Sequence, residues 1–360
     1  MTYRVIGLMS GSSLDGLDIA FVQFEAAGSQ WTYDIKAAAC YPYEAQWMQR
    51  LQNATSLGGA AYMQLHCDYG ALTGQLVNRF IEEHQLQYQV QLIASHGHTT
   101  FHSPATKMTH QLGDGAAIAA ATGINVVSDL RQMDVALGGE GAPIVPIGEK
   151  YLLGNHQYFL NLGGIANLSI NTQPFLAFDI CAANRVLNLL AGDAGLQFDA
   201  GGALARSGHV HSSLLQQLNQ LSYYVEPSPK SLANSFGTDT VLPLVRAAQL
   251  PLADALCTYT EHIAVQVAQA VESAPVAAAQ PSLLVTGGGA FNEYLVERIS
   301  ALLPHVKVEV PDEKLVNYKE ALIMAFIGVL RWREENNVMS SVTGASRDSI
   351  GGAVWSGQAW

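Results

Sequence analysis

Short apolar stretches that each end in glycine and small polar residues recur along the chain. The first covers residues 5–8, gives way to the polar cluster at 10–13, and resumes at Ile19. Because a β-branched apolar run broken by Gly and Ser marks two strands joined by a turn, residues 4–24 predict a hairpin. We take this hairpin as the element around which the rest of the chain is organised.

The same pattern returns in the second half of the chain. An apolar run at 158–162 enters Gly163 and Gly164, and a second run follows at 165–170. We interpret this repeat as a structural duplication. It predicts two related α/β halves, each of which contributes one glycine hairpin to a cleft that grips nucleotide phosphates.

Apolar residues spaced three or four positions apart predict helices between these strands. One helix ends near Glu83, one covers residues 186–190, one contains residues 263–271, and a long one carries Glu320 in its first turns. Their apolar stripes are interpreted as core.

Several predicted strands end in polar residues. In open α/β sheets, ligands bind at the carboxyl ends of strands, so these residues are candidates for a site. They are His96 and His98 after residues 92–95, Asp129 and Arg131 after residues 124–128, and Asp179 after residues 176–178.

The histidines have two interpretations. His96, His98 and His102 could bind a metal, since alternate residues of a strand share a face and imidazole is a common ligand. No cysteine or acidic residue lies nearby before Asp114. We therefore favour hydrogen bonding to a polar substrate or to the backbone for His98.

Two of the charged candidates also have structural alternatives. Arg131 and Asp134 could form an ion pair, although the glycine-rich loop at 138–143 favours a ligand-facing rim. Asp179 could cap the helix that follows it, because Asp is a preferred N-cap residue. Its position facing the predicted phosphate cleft favours a general base.

The first hairpin turn combines glycines, hydroxyls and carboxylates. Glycines allow backbone N–H groups to approach an anion, and a carboxylate beside a phosphate requires a cation between them. Asp15 and Asp18 therefore suggest Mg²⁺ held partly through water. The simpler alternative is a turn that uses Gly, Ser and Asp only for its geometry.

A third glycine turn follows the strand at 283–286. Residues 287–289 are all glycine, so no side chain would exclude a flat ring or a ribose from the backbone there. A further glycine turn lies at 198–202. No P-loop sequence and no Gly-x-Gly-x-x-Gly fingerprint occurs in the chain.

Composition narrows the class of protein. A length of 360 residues with 49% hydrophobic and 13% charged residues predicts a well-packed soluble protein of two domains. The net charge of −12 argues against a nucleic-acid partner. Four scattered cysteines, no leader ahead of the first strand and no apolar stretch of about 20 residues predict a reduced cytoplasmic protein without a membrane span.

Over nearly its whole length the chain resembles the anhydro-N-acetylmuramic acid kinases, a branch of the actin, hexokinase and heat-shock ATPase superfamily. The residues that carry the resemblance are 7–18, 96–99, 129–131 with 138–143, 161–168, 286–292 and 342–346. The resemblance implies an α/β fold of two duplicated actin-like ATPase (ribonuclease H-like) domains with an interdomain active-site cleft. The first domain would hold residues 1–154 plus 340–360, and the second, with the ATP and catalytic site, residues 155–339.

The resemblance also implies a reaction. A homodimer would use ATP and Mg²⁺ to open the anhydro bridge of 1,6-anhydro-N-acetylmuramic acid with water and to phosphorylate the released O6. The product, N-acetylmuramic acid 6-phosphate, belongs to muropeptide recycling. Asp179 would act as the catalytic base that takes the proton of water.

Further site residues follow from the resemblance. The cofactor-binding residues would be Gly11, Ser12, Ser13, Leu14, Asp15, Gly16, Leu17, Asp18, Gly163, Gly164, Gly201, Gly287, Gly288, Gly289 and Asn292, with Asp15 and Asp18 facing Mg²⁺. The sugar-binding residues would be His98, Asp129, Arg131 and Glu320.

Three segments depart from the family's common pattern. Residues 179–184 read Asp-Ile-Cys-Ala-Ala-Asn in place of Asp-Thr-Gly-Pro-Gly-Asn, residues 230–235 replace Lys-Ser-Thr-Gly-Arg-Glu, and Glu140 replaces Gln. The phosphoryl-transfer residues are kept. A kinase of another anhydrosugar or amino sugar, or a catalytically silent sugar- or nucleotide-binding regulator, are the competing hypotheses.

Overall fold

The computed structural model describes residues 1–11, 14–227, 230–233, 235–274 and 276–357. Within these ranges the strands are β1 (Thr2–Met9), β2 (Gly16–Ala27), β3 (Gln30–Pro42), β4 (Leu92–Ser95), β5 (His98–Ser103), β6 (Met108–Leu112), β7 (Val126–Ser128), β8 (Tyr158–Leu162), β9 (Ile165–Ile170), β10 (Leu176–Ala182), β11 (Ser282–Thr286), β12 (Lys307–Glu309) and β13 (Ala353–Trp355). The helices are α1 (Ala45–Gln52), α2 (Gly59–Glu83), α3 (Gly115–Thr122), α4 (Gln132–Ala136), α5 (Pro146–Leu152), α6 (Asn184–Gly192), α7 (Ala203–Ser207), α8 (Ser212–Asn219), α9 (Leu242–Ala247), α10 (Leu252–Ser273), α11 (Glu293–Leu302), α12 (Glu313–Trp332) and α13 (Ser340–Thr343).

The chain forms two compact units. Unit 1 consists of Met1–Leu153 and Tyr318–Trp360, and unit 2 of Gly154–Asn317. Residues 318–339 therefore lie in unit 1, whereas the sequence analysis assigned them to the second domain. The boundary falls inside α12, at the non-helical backbone of Tyr318.

The same five-stranded arrangement occurs in both units. In unit 1 the strand order is β3-β2-β1-β4-β7, and in unit 2 it is β10-β9-β8-β11-β12. In unit 1, β1, β2 and β3 form an antiparallel meander, and β1 pairs in parallel with β4. In unit 2, β8, β9 and β10 form the same meander, and β8 pairs in parallel with β11. This repeat confirms the predicted duplication and the α/β class. Unit 1 adds β13 antiparallel to β7, and a separate hairpin of β5 and β6.

Each unit has its own apolar core. In unit 1 the buried stripe of α2, with Leu65, Val77 and Phe80, belongs to one cluster with Ile6 and Ile93 of the sheet. In unit 2 the predicted stripe of α10, with Ile263, Val267 and Val271, clusters with the strands β8 to β11. The predicted helical periodicity is confirmed in both cases.

The second part of α12 lies unusually close to the unit 1 sheet, because small residues face each other. A Cβ atom on Gly7 of β1 would stand 1.9 Å from the Ala321 carbonyl oxygen and 2.7 Å from the Ala325 nitrogen. A Cβ atom on Gly328 would stand 2.5 Å from the Ala94 side chain of β4. This close packing explains why residues from Tyr318 onwards belong to unit 1.

Gly7→Ala is expected to lower the melting temperature of the protein. The added methyl group would overlap backbone atoms of α12 that cannot rotate away, and such overpacking costs about 2 kcal/mol. A loss of that size lowers Tm by about 4 to 8 °C in a folding unit of about 150 to 250 residues, the range that includes unit 1. Thermal unfolding followed by circular dichroism measures the shift.

Gly59→Ala is the matched control for this substitution. Gly59 begins α2 in the same unit, is exposed, and has no atom within 4 Å of an added Cβ. Alanine favours helix over glycine, so Tm should stay the same or rise slightly. Equal melting temperatures for Gly7→Ala and the unsubstituted protein would contradict the packing argument.

Candidate active site

Four polar residues follow strand ends at one edge of the unit 1 sheet. Strands β1, β4 and β7 run parallel, so Ser10, His96 and Asp129, which follow them directly, lie at a common edge. Strand β3 runs in the same direction, since the antiparallel β2 joins it to β1. Tyr43 follows β3 and reaches this edge too.

A chain of buried hydroxyl groups ends at His98. The Tyr43 hydroxyl donates to Ser10 Oγ at 2.8 Å, and the Tyr43 and Tyr69 hydroxyl oxygens lie 2.5 Å apart. Since the single proton of Tyr43 goes to Ser10, Tyr69 donates to Tyr43. Ser10 Oγ lies 3.2 Å from His98 Nδ1.

This chain favours one tautomer of the His98 ring. Burial lowers the pKa of His98, so its ring is neutral at pH 7. Ser10 already accepts from Tyr43 and has its own proton to give; when that proton is directed to Nδ1, the ring hydrogen lies on Nε2. His98 can therefore offer an N–H donor to a ligand.

His96 and His98 do not share a strand face, so the prediction that they could do so is wrong. Strand β4 ends at Ser95, Gly97 adopts φ +72°, and β5 begins at His98. Both ring nitrogens of His96 have partners: Nε2 accepts from Arg131 Nε at 2.8 Å, and Nδ1 donates to the Gly97 oxygen at 2.8 Å. Among the residues that the structure describes, no three His, Cys, Asp or Glu side chains converge on a metal position.

Arg131 and Asp134 bind the same glycine and do not form an ion pair within 4 Å. Arg131 Nη1 donates to the Gly141 oxygen at 2.7 Å, and the Gly141 N–H donates to Asp134 Oδ2 at 2.8 Å. The alternative of an Arg131–Asp134 ion pair is therefore wrong, because both side chains hold the glycine-rich loop instead. Burial lowers the pKa of Arg131 to about 10, although the charges of Glu320 and Asp134 oppose this shift.

The carboxylate of Asp129 is held by its neighbours. Ser128 Oγ donates to one of its oxygens at 2.7 Å, and Gln132 Nε2 donates to the other at 2.9 Å. Trp355 of β13 in turn donates its indole N–H to Ser128 Oγ at 3.0 Å. Asp129 has φ +58°, a left-handed conformation that is uncommon outside glycine.

Three carboxylates of unit 1 interact electrostatically. Burial raises the pKa of Asp18 to about 6; Cys40 opposes this shift through a hydrogen bond, while the charges of Glu320 and Asp15 add to it. Glu320 also interacts with Arg131. These electrostatic interactions link the predicted residues Asp15, Asp18, Arg131 and Glu320 into one charged group.

The remaining residues of the first turn have varied surroundings. Leu14 adopts φ +60°, and its N–H lies 3.4 Å from the Gly11 oxygen. A Cβ atom on Gly16 would stand 2.4 Å from the Tyr41 oxygen, so this glycine is required by strand packing. The Leu17 side chain is buried in the core. Ser12 and Ser13 lie outside the described residues.

In unit 2, strand ends at one edge of the sheet carry two glycine turns. Strands β8 and β11 run parallel, and Gly163 and Gly287 directly follow them. Gly287 adopts φ +80°, and a Cβ atom there would stand 2.6 Å from Asn161 Oδ1. Gly287 therefore serves the turn itself.

Asp179 lies within β10 and neither ends the strand nor caps a helix. The strand continues to Ala182 after a bulge between Asp179 and Cys181, and Ala183 occupies the N-cap of α6. The predicted strand end is therefore wrong, and the N-cap alternative is excluded. The Leu232 N–H donates to Asp179 Oδ2 at 2.8 Å.

The environment of Asp179 favours proton uptake. Burial raises the pKa of Asp179, while the Leu232 N–H lowers it to a smaller extent. The bulge directly follows this residue: Asp179 pairs with Asn167, Cys181 pairs with Ala166, and Ile180 between them has no partner, a device that often lies beside active sites. The carboxylate can therefore accept a proton through the oxygen that Leu232 does not hold.

A cavity of about 450 Å³ lies in unit 2. Four predicted cofactor-binding residues line it, namely Gly201, Gly288, Gly289 and Asn292. Its other walls come from Asn184, Leu187, Asn188, Phe198, Asp199, Ala200 and Phe291. Phe198 and Phe291 are 54% and 45% exposed, so they offer apolar surface to a flat ligand.

Two glycines of this cavity, Gly201 and Gly288, make room for a ligand, whereas a Cβ atom on Gly289 would stand 2.6 Å from Leu162 Cβ. A Cβ atom on Gly201 would meet nothing within 4 Å, and one on Gly288 would meet only the Asn184 amide at 4.0 Å. These positions therefore face open space. The sequence did not predict the contributions of Asn184, Phe198 and Phe291, because no local pattern distinguishes them from ordinary loop or helix residues.

No helix in the described ranges is both long enough and apolar enough to cross a bilayer.

Comparisons with known proteins identify one family. The model of the anhydro-N-acetylmuramic acid kinase family matches residues 3–357. The chain is 36% identical to an anhydro-N-acetylmuramic acid kinase of Xanthomonas oryzae pv. oryzae (strain MAFF 311018), over 97% of this chain and 96% of the relative. It is 31% identical to the enzyme of that name from Sulfurovum sp. (strain NBC37-1), over 98% of this chain and 99% of the relative. The resemblance predicted from the sequence is confirmed, and the chain belongs to the anhydro-N-acetylmuramic acid kinase family.

Proposed function

We propose that this protein is an ATP-dependent kinase of 1,6-anhydro-N-acetylmuramic acid. Water adds to the anomeric carbon, the bond from this carbon to the bridge oxygen breaks, and the released O6 takes the γ-phosphoryl group of ATP. The products are N-acetylmuramic acid 6-phosphate and ADP. The proton of water goes to Asp179.

The setting of Asp179 carries this proposal. Water is a weak nucleophile, so a positioned base within reach of its proton accelerates the reaction. A partly buried carboxylate whose pKa is raised by burial, with one oxygen held by Leu232, suits that task. The O6 oxygen is captured by phosphorus, so a separate acid for the leaving group is not required.

The unit 2 cavity supports ATP as the donor. Apolar walls with a few amide groups suit an adenine ring, and the open glycine positions leave room for the ribose. We assign the adenosine to Gly288, Gly289, Asn292 and Gly201 on this ground. Gly163 and Gly164 would lie against the phosphates.

The charged group of unit 1 supports a magnesium site. Asp15 and Asp18 are oxygen ligands of the kind that Mg²⁺ prefers, and a cation there would offset both the burial that raises the pKa of Asp18 and the smaller contributions of Glu320 and Asp15. Mg²⁺ bound with ATP supplies charge neutralisation of the phosphate oxygens during phosphoryl transfer.

The proposed sugar-binding residues offer complementary groups. His98 presents an N–H donor, Asp129 a held carboxylate, and Arg131 a cation beside Glu320. Hydroxyl, amide and carboxylate groups of an amino sugar acid need such partners. Residues 179–184 and 230–235 depart from the family pattern, so another anhydrosugar is the alternative substrate.

Tyr43→Phe is expected to raise the KM for the sugar about tenfold and to leave the KM for ATP unchanged. Loss of this hydroxyl frees Ser10 to turn away from His98, and a lost hydrogen bond of this kind costs up to about 1.5 kcal/mol. Steady-state kinetics give both KM values, and ¹⁵N shifts of the His98 ring report its tautomer.

Tyr62→Phe provides the control for Tyr43→Phe. Tyr62 lies in the same unit, and its hydroxyl contacts Thr100 and His110 instead of the chain that leads to His98. Its removal should leave the sugar KM unchanged. An unaltered sugar KM together with an unaltered His98 tautomer in Tyr43→Phe would contradict the proposed role.

The decisive experiment incubates the purified protein with ATP, Mg²⁺ and 1,6-anhydro-N-acetylmuramic acid and records the mass of the product. We expect a gain of one phosphoryl group plus one water. A gain of the phosphoryl group alone would mean ordinary hydroxyl phosphorylation. Turnover only with other anhydrosugars would identify a different substrate, and no turnover with any would favour a binding regulator.

We also propose a cytoplasmic homodimer, as the family resemblance implies. Light scattering during size-exclusion chromatography gives the molar mass, and a monomer mass would overturn the dimer.

A further inference from the structure

One arginine of unit 2 has no carboxylate partner. The described part of this unit contains four arginines, and three of them are ion-paired: Arg206 with Glu297 at 2.6 Å, Arg246 with Asp193 at 2.7 Å, and Arg298 with Glu261 at 2.7 Å. The fourth, Arg185 in the first turn of α6, forms no ion pair and no side-chain hydrogen bond in the described structure.

The Arg185 side chain is also partly withdrawn from water. Its Nε atom is buried and has no hydrogen-bond partner. In the described residues, Arg185 Nε is the only buried side-chain nitrogen without a hydrogen-bond partner, and the other buried side-chain atoms without one are oxygens. Burying a charged donor without a partner is costly, so such a group requires an explanation.

The guanidinium lies beside the glycine turn that follows β8. A Cβ atom on Gly164 would meet only Arg185 within 4 Å, with Arg185 Cβ and Nε both at 3.7 Å. Gly164 has no side chain, so the space next to the guanidinium is not filled by this turn.

The backbone donors at this place are already used. The N–H groups of Ala183 and Asn184 donate to the Gly164 and Gly163 oxygens at 2.8 and 3.1 Å, and the Arg185 N–H lies 3.5 Å from the Gly164 oxygen. The start of α6 therefore offers no free N–H from these three residues. The guanidinium remains as the available donor.

We propose that Arg185 binds a phosphate oxygen of the nucleoside triphosphate. This assignment rests on the proposed function and adds a residue to it. The free donor is cationic, so its ligand is an oxyanion, and Arg binds phosphate through two parallel N–H groups.

The neighbours of Arg185 favour phosphate over the carboxylate of the sugar. Asn184, Leu187 and Asn188 of the same helix line the cavity assigned to adenosine, and Gly163 and Gly164 form the adjoining turn. A triphosphate that leaves this cavity along the first turn of α6 reaches Arg185. The sugar acid is the other oxyanion in the reaction, and the experiment separates the two.

The test measures the binding of ATP and adenosine to the full chain by calorimetry, without sugar. Arg185→Gln should weaken ATP binding about 10- to 100-fold and leave adenosine binding unchanged, since charge-assisted hydrogen bonds contribute about 1.5 to 3 kcal/mol. Arg185→Lys should recover part of the loss. Arg246→Gln, which breaks an exposed ion pair of the same unit, should bind ATP normally.

Three outcomes would overturn the assignment. The first is unchanged ATP binding in Arg185→Gln, and the second is an equal loss of adenosine binding. The third is a raised sugar KM with normal ATP binding, which would assign Arg185 to the carboxylate of the sugar. A purely structural role would lower Tm, whereas removal of an unpartnered buried N–H should not. Arg185-dependent ATP binding without sugar turnover would overturn the proposed function and leave this assignment intact.

Discussion

Asp179→Asn is expected to lower kcat about 10²- to 10⁴-fold, the usual contribution of a general base. The asparagine oxygen can still accept the Leu232 N–H, so the local structure should be kept. What is lost is the acceptor for the proton of water. ATP binding, measured separately, should remain unchanged.

The pH dependence provides a second readout for Asp179. Burial raises its pKa above the ordinary value of 3.8, so the carboxylate takes up a proton at a higher pH than an exposed Asp. The fall of kcat with decreasing pH should therefore begin above pH 3.8, because the protonated acid cannot act as a base. In Asp179→Asn, the loss of activity that protonation of Asp179 causes at low pH should be absent from the pH profile.

Asp193→Asn is the matched control for Asp179→Asn. Asp193 lies in the same unit and forms a half-exposed ion pair with Arg246. Such pairs contribute little to stability, and this one touches none of the proposed site residues. Near-normal activity of Asp179→Asn would exclude Asp179 as the base.

Gly288→Leu is expected to weaken ATP binding about 5- to 150-fold without unfolding the protein. A Cβ atom added at this position meets no atom closer than the Asn184 amide at 4.0 Å, so the backbone leaves room for a side chain to begin here. The leucine would instead occupy the cavity assigned to adenosine, and overpacking of a bound ligand costs about 1 to 3 kcal/mol. Calorimetric titration with ATP and thermal unfolding measure the two effects.

Gly192→Leu tests whether the effect belongs to the cavity. Gly192 ends α6 in the same unit, is exposed, and also has no atom within 4 Å of an added Cβ. It does not line the cavity. Equal ATP affinities for Gly288→Leu and Gly192→Leu would move the nucleotide to another surface.

The sequence predicted the strand ends well, because a buried run followed by glycine is a local signal. The turns at Gly163 and Gly287 follow β8 and β11 as expected. The bulge that carries β10 past Asp179 was not predicted. It arises from pairing with β9, and the local sequence around Asp179 does not show how β10 pairs with a neighbouring strand.

Contacts between residues distant in the sequence account for most of the other differences between the predicted and the observed structure. Tyr43 reaches Ser10 only because β2 and β3 fold back along β1. Arg131 and Asp134 are close in sequence and opposite in charge, but the loop of Gly141 offers each a backbone partner. The end of unit 2 at Asn317 depends on how closely α12 lies on the sheet, which periodicity does not reveal.

The division of unit 1 into two chain segments affects the order in which the protein can fold on the ribosome. Unit 2 is continuous and is complete once Asn317 has been synthesised. Until the second part of α12 and β13 emerge, β7 lacks its antiparallel neighbour and Gly7 lacks its cover. During that interval the nascent unit 1 sheet exposes an apolar face and a free edge, which are surfaces that chaperones bind.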